Sequence, residues 1–454
     1  MTPPQRTLTR GIAAFQTEAR SLIQLAIPMI AGSLSYTLIG LTNSVFLGPL
    51  GEAPLAAASL TMSLSIIIYG ALFGLLGPTG YLIGTAFGAG DDRKISEVMK
   101  HGAVIGVGVG LLGMLFMVLG LLALPHLGQP PEVLAIIMLY WLLSAVAMVP
   151  FFVMQIYKQY YDATNRPWTG TALSLLPVLF NIPLTWALVN GALGLPELGL
   201  TGAGLAGLIS SSIGVALFAA HFYTRPAHAP HRVPVPWRRA VLVEQLREGV
   251  PMGVQYLLEG GAITVAGVLI GLLGAAALAA NQITFSVLGI LWIFPIGMSA
   301  AVGIRVAQAV GSGERQRARG IGVSGMALAG AWSALFVIAL IGFGRRIAAL
   351  FVGEADVIEI AALLFVVWSA AQIFDGIQSV GVGVLRGLFD SRYPTVVSLI
   401  AYWLISLPLG YVFGFWLGWG AAGVWAGYGV GLAIAGILLV RRLWRQTGYR
   451  RAVA

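Results

Sequence analysis

The sequence contains no cysteine and few charged residues. Only 9% of its 454 residues are charged, whereas 58% are hydrophobic; a soluble domain is about a quarter charged. The absence of cysteine excludes disulfides, thiolate metal sites and cysteine nucleophiles. The shortage of charge excludes an ordinary soluble protein, and the chain is predicted to be a multi-pass integral membrane protein.

Long apolar runs make up most of the chain. A spanning helix needs about 20 apolar residues, and these runs are far too long for the alternating strands of a membrane barrel. The first run is also too long for a signal-peptide core. We therefore predict an all-α protein with twelve transmembrane helices, at 22–45, 54–86, 102–124, 134–157, 169–190, 201–223, 249–272, 278–309, 320–343, 357–385, 395–416 and 420–440.

Basic residues are nearly absent from every second connection between these helices. If the N-terminus is cytosolic, all of the 26 basic residues except Arg345 and Arg346 fall in cytosolic segments, as the positive-inside rule requires. Both termini are therefore predicted to be cytosolic, in the inner membrane. This distribution accounts for the net charge of +9, so no nucleic-acid partner is predicted.

A proline-rich polar stretch divides the twelve helices equally. We predict an N-terminal six-helix lobe at 1–223, a cytosolic linker at 224–248 and a C-terminal six-helix lobe at 249–454. Prolines favour an extended, semi-rigid linker. His228 and His231 lie in it, and we interpret them as solvated spacers rather than metal ligands, since no other ligand types accompany them.

The two lobes are an internal repeat. A shift of 223 residues superposes Pro28 on Pro251 and Gly80 on Gly303 without a gap. Because each half has six helices, the repeats run parallel, and such repeats typically enclose a midplane substrate site and give alternating access by rocking.

Two of the seventeen acidic residues lie inside predicted spans, Glu259 on helix 7 and Asp375 on helix 10. The others, Asp162 among them, lie in loops or at helix ends. Both acids lie roughly 12–17 Å from the cytosolic boundary. The repeat aligns them with Tyr36 and Phe152, so neither acid has an acidic counterpart, and an intramembrane acid indicates a functional site.

No lysine or arginine is predicted deep in any span. Each acid is therefore expected to be protonated, to bind a metal cation such as Na⁺, or to pair with a cationic ligand. Burial and a nearby second carboxylate both oppose ionisation. Such a pair is able to exchange H⁺ or Na⁺ for an organic cation.

Other polar residues give weaker signals. Several are candidates either for lining a cavity or for joining neighbouring helices, and both interpretations stay open for Tyr36, Asn43, Asn181, Asn281, Gln282 and Gln378. Pro28 and Pro251 are candidate hinges or adapt helix curvature. The glycines of Gly106–Gly110 resemble a dinucleotide fingerprint, but without a strand they favour close helix packing.

Several motifs together resemble the multidrug and toxic compound extrusion (MATE) family, in particular its NorM-type bacterial branch. They are Leu25-Ala-Ile-Pro28, Gly88-Ala-Gly90 with Asp92, Leu278-Ala-Ala-Asn-Gln282, Phe374-Asp-Gly-Ile-Gln378, Val384-Leu-Arg-Gly387 and Asp390-Ser-Arg392. The resemblance implies a two-lobed exporter with acids at Glu259 and Asp375 for cation coupling and drug binding. Many relatives carry aspartate where Asn43 stands, and Asn43 cannot titrate.

We therefore predict a secondary active antiporter that exports organic, mostly cationic amphipathic compounds in exchange for H⁺ or Na⁺. It is expected to have no cofactor and no enzymatic activity and to function as a monomer. The alternative is a lipid-linked precursor flippase, which should line its cavity with arginine or lysine. An intramembrane prenyltransferase would need paired aspartate-rich motifs, and the chain has one Asp-Asp pair. A channel is disfavoured by the two-fold repeat.

Overall fold

The computed structural model describes residues 3–448, apart from the side chains of residues 3–12, 14, 34–37 and 127. Within that range every regular element is helical, and twelve helices are long and apolar enough to cross a membrane. The predicted all-α class and helix number are thus confirmed. The helices are α1 (Pro3–Leu47), α2 (Glu52–Ala89), α3 (Asp92–Ala123), α4 (Pro131–Ala163), α5 (Pro167–Asn190), α6 (Gly199–Thr224), α7 (Arg239–Gly271), α8 (Ala275–Gly311), α9 (Arg317–Ala349), α10 (Ala355–Gly387), α11 (Arg392–Trp416) and α12 (Gly420–Thr447).

Most helices extend beyond the predicted apolar runs. Helix α7 begins at Arg239 rather than 249, and α4 continues to Ala163 rather than 157. Hydrophobic runs mark only the part of a helix that meets lipid, whereas local caps set the ends. Between α2 and α3, Gly90 adopts a left-handed conformation at φ 68° and Asp91 accepts a hydrogen bond from Lys94 N at 2.8 Å, which stops one helix and starts the next.

The chain forms two compact units, of which one comprises Pro28–Gly253. In this unit α4 packs against α2, α3 and α6. A Cβ at Gly110 would overlap the backbone of Val149, and one at Gly106 would crowd Val153. The predicted role of these glycines in close helix packing is confirmed, because their missing side chains let α3 and α4 touch through their backbones.

The other unit comprises the described residues up to Ile27 together with those from Val254 onward. Helix α10 lies against α8, α9 and α12. Gly383 and Gly387, one turn apart on α10, face the carbonyl oxygens of Ser299 and Gly303 on α8, where a Cβ would overlap. This close approach fixes α10 in the middle of its unit.

Helix α11 is irregular. It contains two π-helical stretches, Leu399–Ser406 and Val412–Trp416, within otherwise α-helical segments. Such turns are rare and often occur at functional sites. The buried Tyr402 lies in the first of them.

The segment between α6 and α7 is bound to the Pro28–Gly253 unit, so the prediction of solvated histidine spacers is wrong. His228 is 1% exposed, and Tyr160 Oη lies 2.9 Å from His228 Nδ1 and 2.6 Å from His231 Nδ1. His231 Nε2 also lies 3.2 Å from Asp92 Oδ1. Burial, together with the nearby Arg166, lowers the pKa of His228 to about 4, which keeps this imidazole neutral.

Further along, the backbone of the same segment follows α3. Val233 N donates to Ser96 Oγ at 3.2 Å and Arg238 N donates to His101 Nε2 at 3.0 Å. The Trp237 ring stacks on His101 with centroids 4.4 Å apart. These contacts satisfy backbone donors that an extended linker would otherwise expose to water.

Candidate functional site

Glu259 receives hydrogen bonds from three helices. Its Oε1 accepts from Gln255 Nε2 on the same helix at 3.3 Å, from Gln378 Nε2 on α10 at 3.1 Å and from Tyr402 Oη on α11 at 3.5 Å. Gln255 precedes Glu259 by four residues and therefore lies on the same face of α7. The predicted cavity residue Gln378 thus lies beside one of the two predicted acids.

Arg386 contradicts the prediction that no basic residue accompanies the acids. It is 6% exposed in the last turn of α10, and its guanidinium donates to Gln255 Oε1 at 3.1 Å and to Tyr256 Oη at 3.2 Å. Gln255 therefore connects Arg386 to Glu259, because its amide oxygen accepts from one and its amide nitrogen donates to the other.

Asp375 lies on α10, three residues before Gln378, whose amide donates to Glu259. Gln372 Nε2 donates to Asp375 Oδ2 at 3.4 Å. Two buried polar atoms on the same helix, Gln372 Oε1 and Trp368 Nε1, make no hydrogen bond within the described part of the chain. Asp375 and Gln378, the α10 partner of Glu259, thus lie on the same face of α10, and an oxygen acceptor and a nitrogen donor on that helix stay unused.

A cluster of aromatic rings lies beside the acids. The Tyr402 and Tyr428 rings stack 5.3 Å apart, and the Tyr402 hydroxyl donates to Glu259. Trp368 is 6.0 Å from Tyr428 and 4.9 Å from Trp425, measured between centroids. Aromatic faces next to carboxylates attract organic cations, since both carry negative potential.

Sequence reasoning missed Gln255, Gln372, Arg386, Tyr402 and Tyr428. Helical spacing alone could have identified the two glutamines, which precede Glu259 and Asp375 by four and three residues. The contribution of α11 and α12 depends on tertiary packing, and no local pattern marks the two tyrosines.

Two further predicted residues of the second repeat, Asn281 and Gln282, are neighbours in sequence, but one is buried and the other is exposed. Asn281 Oδ1 accepts from Trp425 Nε1 at 2.8 Å, which joins α8 to α12. Gln282, the next residue, is exposed. Pro251 lies inside α7, two turns before Glu259.

In the first repeat the predicted residues do not form a comparable cluster. Asn181 is fully buried and bonds Ser210 Oγ at 3.3 Å, which joins α5 to α6. Asn43 Oδ1 is buried and accepts no hydrogen bond from any described residue. Pro28 lies inside α1, where its carbonyl accepts from Thr171 Oγ1 at 2.5 Å. The side chain of Tyr36 lies outside the described residues.

The first repeat instead contains a buried ion pair that the sequence did not reveal. Lys158 Nζ lies 2.8 Å from Asp162 Oδ2, four residues later on α4, and the two side chains are 11% and 3% exposed. Asp162 was predicted at a helix end, where it lies, but its burial was not expected. Its Oδ1 has no hydrogen-bond partner among the described residues.

Comparisons with known proteins agree with this architecture. The MatE family model matches residues 28–187 and 251–412. The chain is 31% identical to a "Probable multidrug resistance protein NorM" of Synechococcus over 97% of both chains, and 31% identical to one of Pseudomonas aeruginosa over 92% of this chain and 88% of that one.

Solved structures show the same fold. The bent form of the Vibrio cholerae MATE transporter VcmN superposes with a TM-score of 0.85 at 23% identity, covering 96% of this chain and 98% of that one. The eukaryotic MATE transporter AtDTX14 gives 0.82 at 22% identity, with coverage of 96% and 98%. Twelve candidate spans and bacterial relatives make this a multi-pass protein of the inner membrane.

Proposed function

Because the chain belongs to the MatE family, we propose that it is a secondary active multidrug efflux antiporter that exports organic, mostly cationic amphipathic compounds. Curated relatives of nearly equal length carry the name multidrug resistance protein NorM, and they are transporters rather than enzymes. Export is coupled to entry of H⁺ or Na⁺, and it proceeds by alternating access.

The observation that supports this proposal most strongly is the juxtaposition of Glu259 and Asp375. Two nearby carboxylates repel each other when both are ionised, so a bound cation lowers their energy. The amides of Gln255, Gln372 and Gln378 donate to them, which holds the oxygens in place but supplies no full charge. The pair therefore binds either the coupling ion or a cationic substrate, and this competition is what an antiporter requires.

The aromatic cluster supports the proposed substrate class. Tyr402 donates to Glu259 and stacks on Tyr428, and the Trp368 and Trp425 rings pack against Tyr428. A cation with an attached apolar body gains electrostatic attraction from the carboxylates and contact area from the rings. Small inorganic cations gain only the first of these, so the cluster distinguishes drug from coupling ion.

Either coupling ion fits the donors present. Protonation needs only the carboxyl groups, whereas Na⁺ prefers several hard oxygen ligands. Glu259, Asp375 and the unused Gln372 Oε1 are oxygen donors of this kind. We propose that the ion is held at this pair in either case.

For the conformational cycle, we propose that residues 1–223 and 249–454 act as lobes connected by the segment 224–248, within a functional monomer. Pro28 and Pro251 occupy equivalent positions inside α1 and α7. Each removes one backbone hydrogen bond from its helix and so favours bending there.

A lipid-linked precursor flippase is the alternative. It would have to bind an anionic diphosphate, but the site has two acids and one arginine, and Arg386 is already engaged by Gln255 and Tyr256. The charge of the site therefore favours a cationic substrate.

The test is export of a fluorescent organic cation from proteoliposomes under an imposed pH gradient or an imposed Na⁺ gradient. We expect one gradient to drive export in the natural protein and neither to do so with Glu259→Gln or Asp375→Asn. Asp356→Asn, an exposed acid on the same α10 helix, is the matched control and should transport normally. Full transport by the Glu259→Gln/Asp375→Asn double variant would contradict the coupling role.

A further inference from the structure

A basic cavity of about 950 Å³ lies at one end of the unit that contains α8 to α12. It is formed by the connection between α8 and α9 and by the last turn of α12. Four of its lining residues are arginines, Arg315, Arg317, Arg442 and Arg445, and its one acidic lining residue is Glu314. The positive-inside rule predicts that this end faces the cytosol.

Two of the four arginines are engaged within the protein. Arg317 Nε lies 2.5 Å from Glu18 Oε1 and its Nη1 lies 2.9 Å from Glu314 Oε2. Arg442 Nε lies 2.7 Å from Asp390 Oδ2. These ion pairs hold the walls of the cavity, since they tie α12 to the start of α11 and α9 to α1.

The other two arginines have unused binding capacity. Arg315 and Arg445 are exposed, and neither side chain makes an ion pair or hydrogen bond with the residues from 3 to 448 whose side chains are described. Glu314, the acidic residue that lines the cavity, is paired with Arg317 and with neither of these two arginines.

The positive-inside rule places basic residues in cytosolic loops, but it does not require several arginines to line one cavity. Some basic residues on the predicted cytosolic side are paired with acids, as Lys94 is with Glu97 and Glu244. Here two unpaired charges line one concave site. All four basic residues are arginine, whose planar fork binds phosphate oxygens in pairs.

A smaller cavity adjoins the first. It has a volume of about 190 Å³, shares Arg442 and Arg445 with the first and is otherwise lined by Tyr393, Leu438 and Arg441. The Arg442 guanidinium lies 4.9 Å above the Tyr393 ring, and Arg319 covers the ring of Trp444, which is 41% exposed. Tyrosine and tryptophan are enriched where membrane proteins meet lipid headgroups.

We propose that this cavity binds the phosphodiester headgroup of an anionic phospholipid, with Arg315 and Arg445 contacting the phosphate and Leu438 and Tyr393 contacting the start of an acyl chain. Basic pockets on the cytosolic side of membrane proteins bind such headgroups through the same chemistry. A free phosphate ion would use the arginines but would leave the apolar part of the site empty.

The test is native mass spectrometry of the full chain in detergent with added dioleoyl phosphatidylglycerol, compared with dioleoyl phosphatidylcholine. We expect preferential retention of phosphatidylglycerol, and about thirtyfold weaker binding in Arg315→Gln/Arg445→Gln. The matched control is Arg93→Gln/Arg239→Gln, which removes the same charge from exposed positions outside the cavity. This control should bind as the natural protein does.

Three results would overturn the proposal: unchanged binding in Arg315→Gln/Arg445→Gln, equal weakening in the control, or displacement of the lipid by inorganic phosphate at the same concentration. The last would identify a free phosphate as the ligand. If the double variant is not recovered, Arg445→Gln alone should weaken binding about fivefold, and no change in that variant would also refute the site.

Discussion

Phe152 and Asp375 are equivalent under the internal repeat, yet their surroundings differ in polarity. Phe152 is fully buried, with the Tyr69 and Phe151 rings at 5.6 and 5.2 Å between centroids. Asp375 is partly buried, receives a hydrogen bond from Gln372 and lies three residues before Gln378, whose amide donates to Glu259. The same backbone position therefore supports packing in one repeat and a charged site in the other.

The basic residues of the two repeats differ in a related way. The repeat aligns Gly32 with Gln255. Gly32 has no side chain, and Lys158 lies so close that a Cβ at Gly32 would be 3.1 Å from Lys158 Cε. Gln255 instead accepts a hydrogen bond from Arg386. Lys158 is neutralised by Asp162 on its own helix. Arg386 is instead linked through Gln255 to Glu259, so the second repeat connects its buried arginine to a carboxylate on another helix.

The largest effect should come from removing the acids that distinguish the repeats. In Glu259→Gln and in Asp375→Asn we expect gradient-driven export to fall to the level of empty vesicles, because the remaining amide cannot exchange a cation. Export is measured with a fluorescent organic cation. Normal membrane insertion of each variant is the control. Export by either variant at the natural rate would contradict the role of these acids in coupling.

The ion pair of the first repeat should affect stability rather than coupling. Lys158→Met leaves Asp162 buried without its partner, which is expected to cost about 3 kcal/mol. Lys158→Met/Asp162→Leu should recover most of this loss, since two apolar side chains replace the pair. Thermal unfolding in detergent measures both. A change of coupling ion in the double variant would show instead that the first repeat takes part in coupling.

Arg386 provides a smaller test of the second repeat. Arg386→Gln removes the donor that orients Gln255, and we expect export about fivefold slower, as for loss of one hydrogen bond to a polar group. Arg386→Lys keeps the charge but cannot bond Gln255 and Tyr256 with the same fork, so its rate should be intermediate. Equal rates in all three proteins would mean that Arg386 only anchors the end of α10.

The bound linker of the first repeat should depend on pH. The pKa of His228 is lowered from 6.5 to about 4, so the folded contact favours the neutral imidazole. Its stabilisation is complete above about pH 6.5 and is lost as the pH falls toward 4. Amide hydrogen exchange at residues 226–238, corrected for intrinsic rates, should therefore quicken between pH 7 and pH 5.

His228→Gln should abolish that pH dependence, whereas His126→Gln, at an exposed position, should preserve it. Retention of the full pH dependence in His228→Gln would assign the effect to other groups near the linker, such as His221 or His231.

The smallest effect is expected for Asn43→Asp. The substitution introduces an acid into α1 without the amide donors and second carboxylate that surround Asp375. We expect the pH profile of export to change little. A large shift would mean that the first repeat retains a site able to couple, and it would weaken the contrast between the halves.

Much of this structure was predictable from sequence because hydrophobicity and charge determine which segments span a bilayer. Glu259 and Asp375 were recognisable for the same reason, since an acid within an apolar run is conspicuous. Arg386 and Lys158 were misjudged because both lie where apolar runs end, and only packing decides whether such a side chain reaches water. Tyr402 and Tyr428 come from helices far along the chain, so no spacing rule connects them to Glu259.

The π-helical stretch that carries Tyr402 has a geometric consequence. A π turn is closed by an i→i+5 hydrogen bond, whereas an α turn is closed by an i→i+4 bond. The stretch Leu399–Ser406 therefore holds its side chains at different angles around the helix axis than a regular α-helix would. The direction in which Tyr402 leaves α11, and with it the hydrogen bond from its hydroxyl to Glu259, depends on this local departure from α geometry.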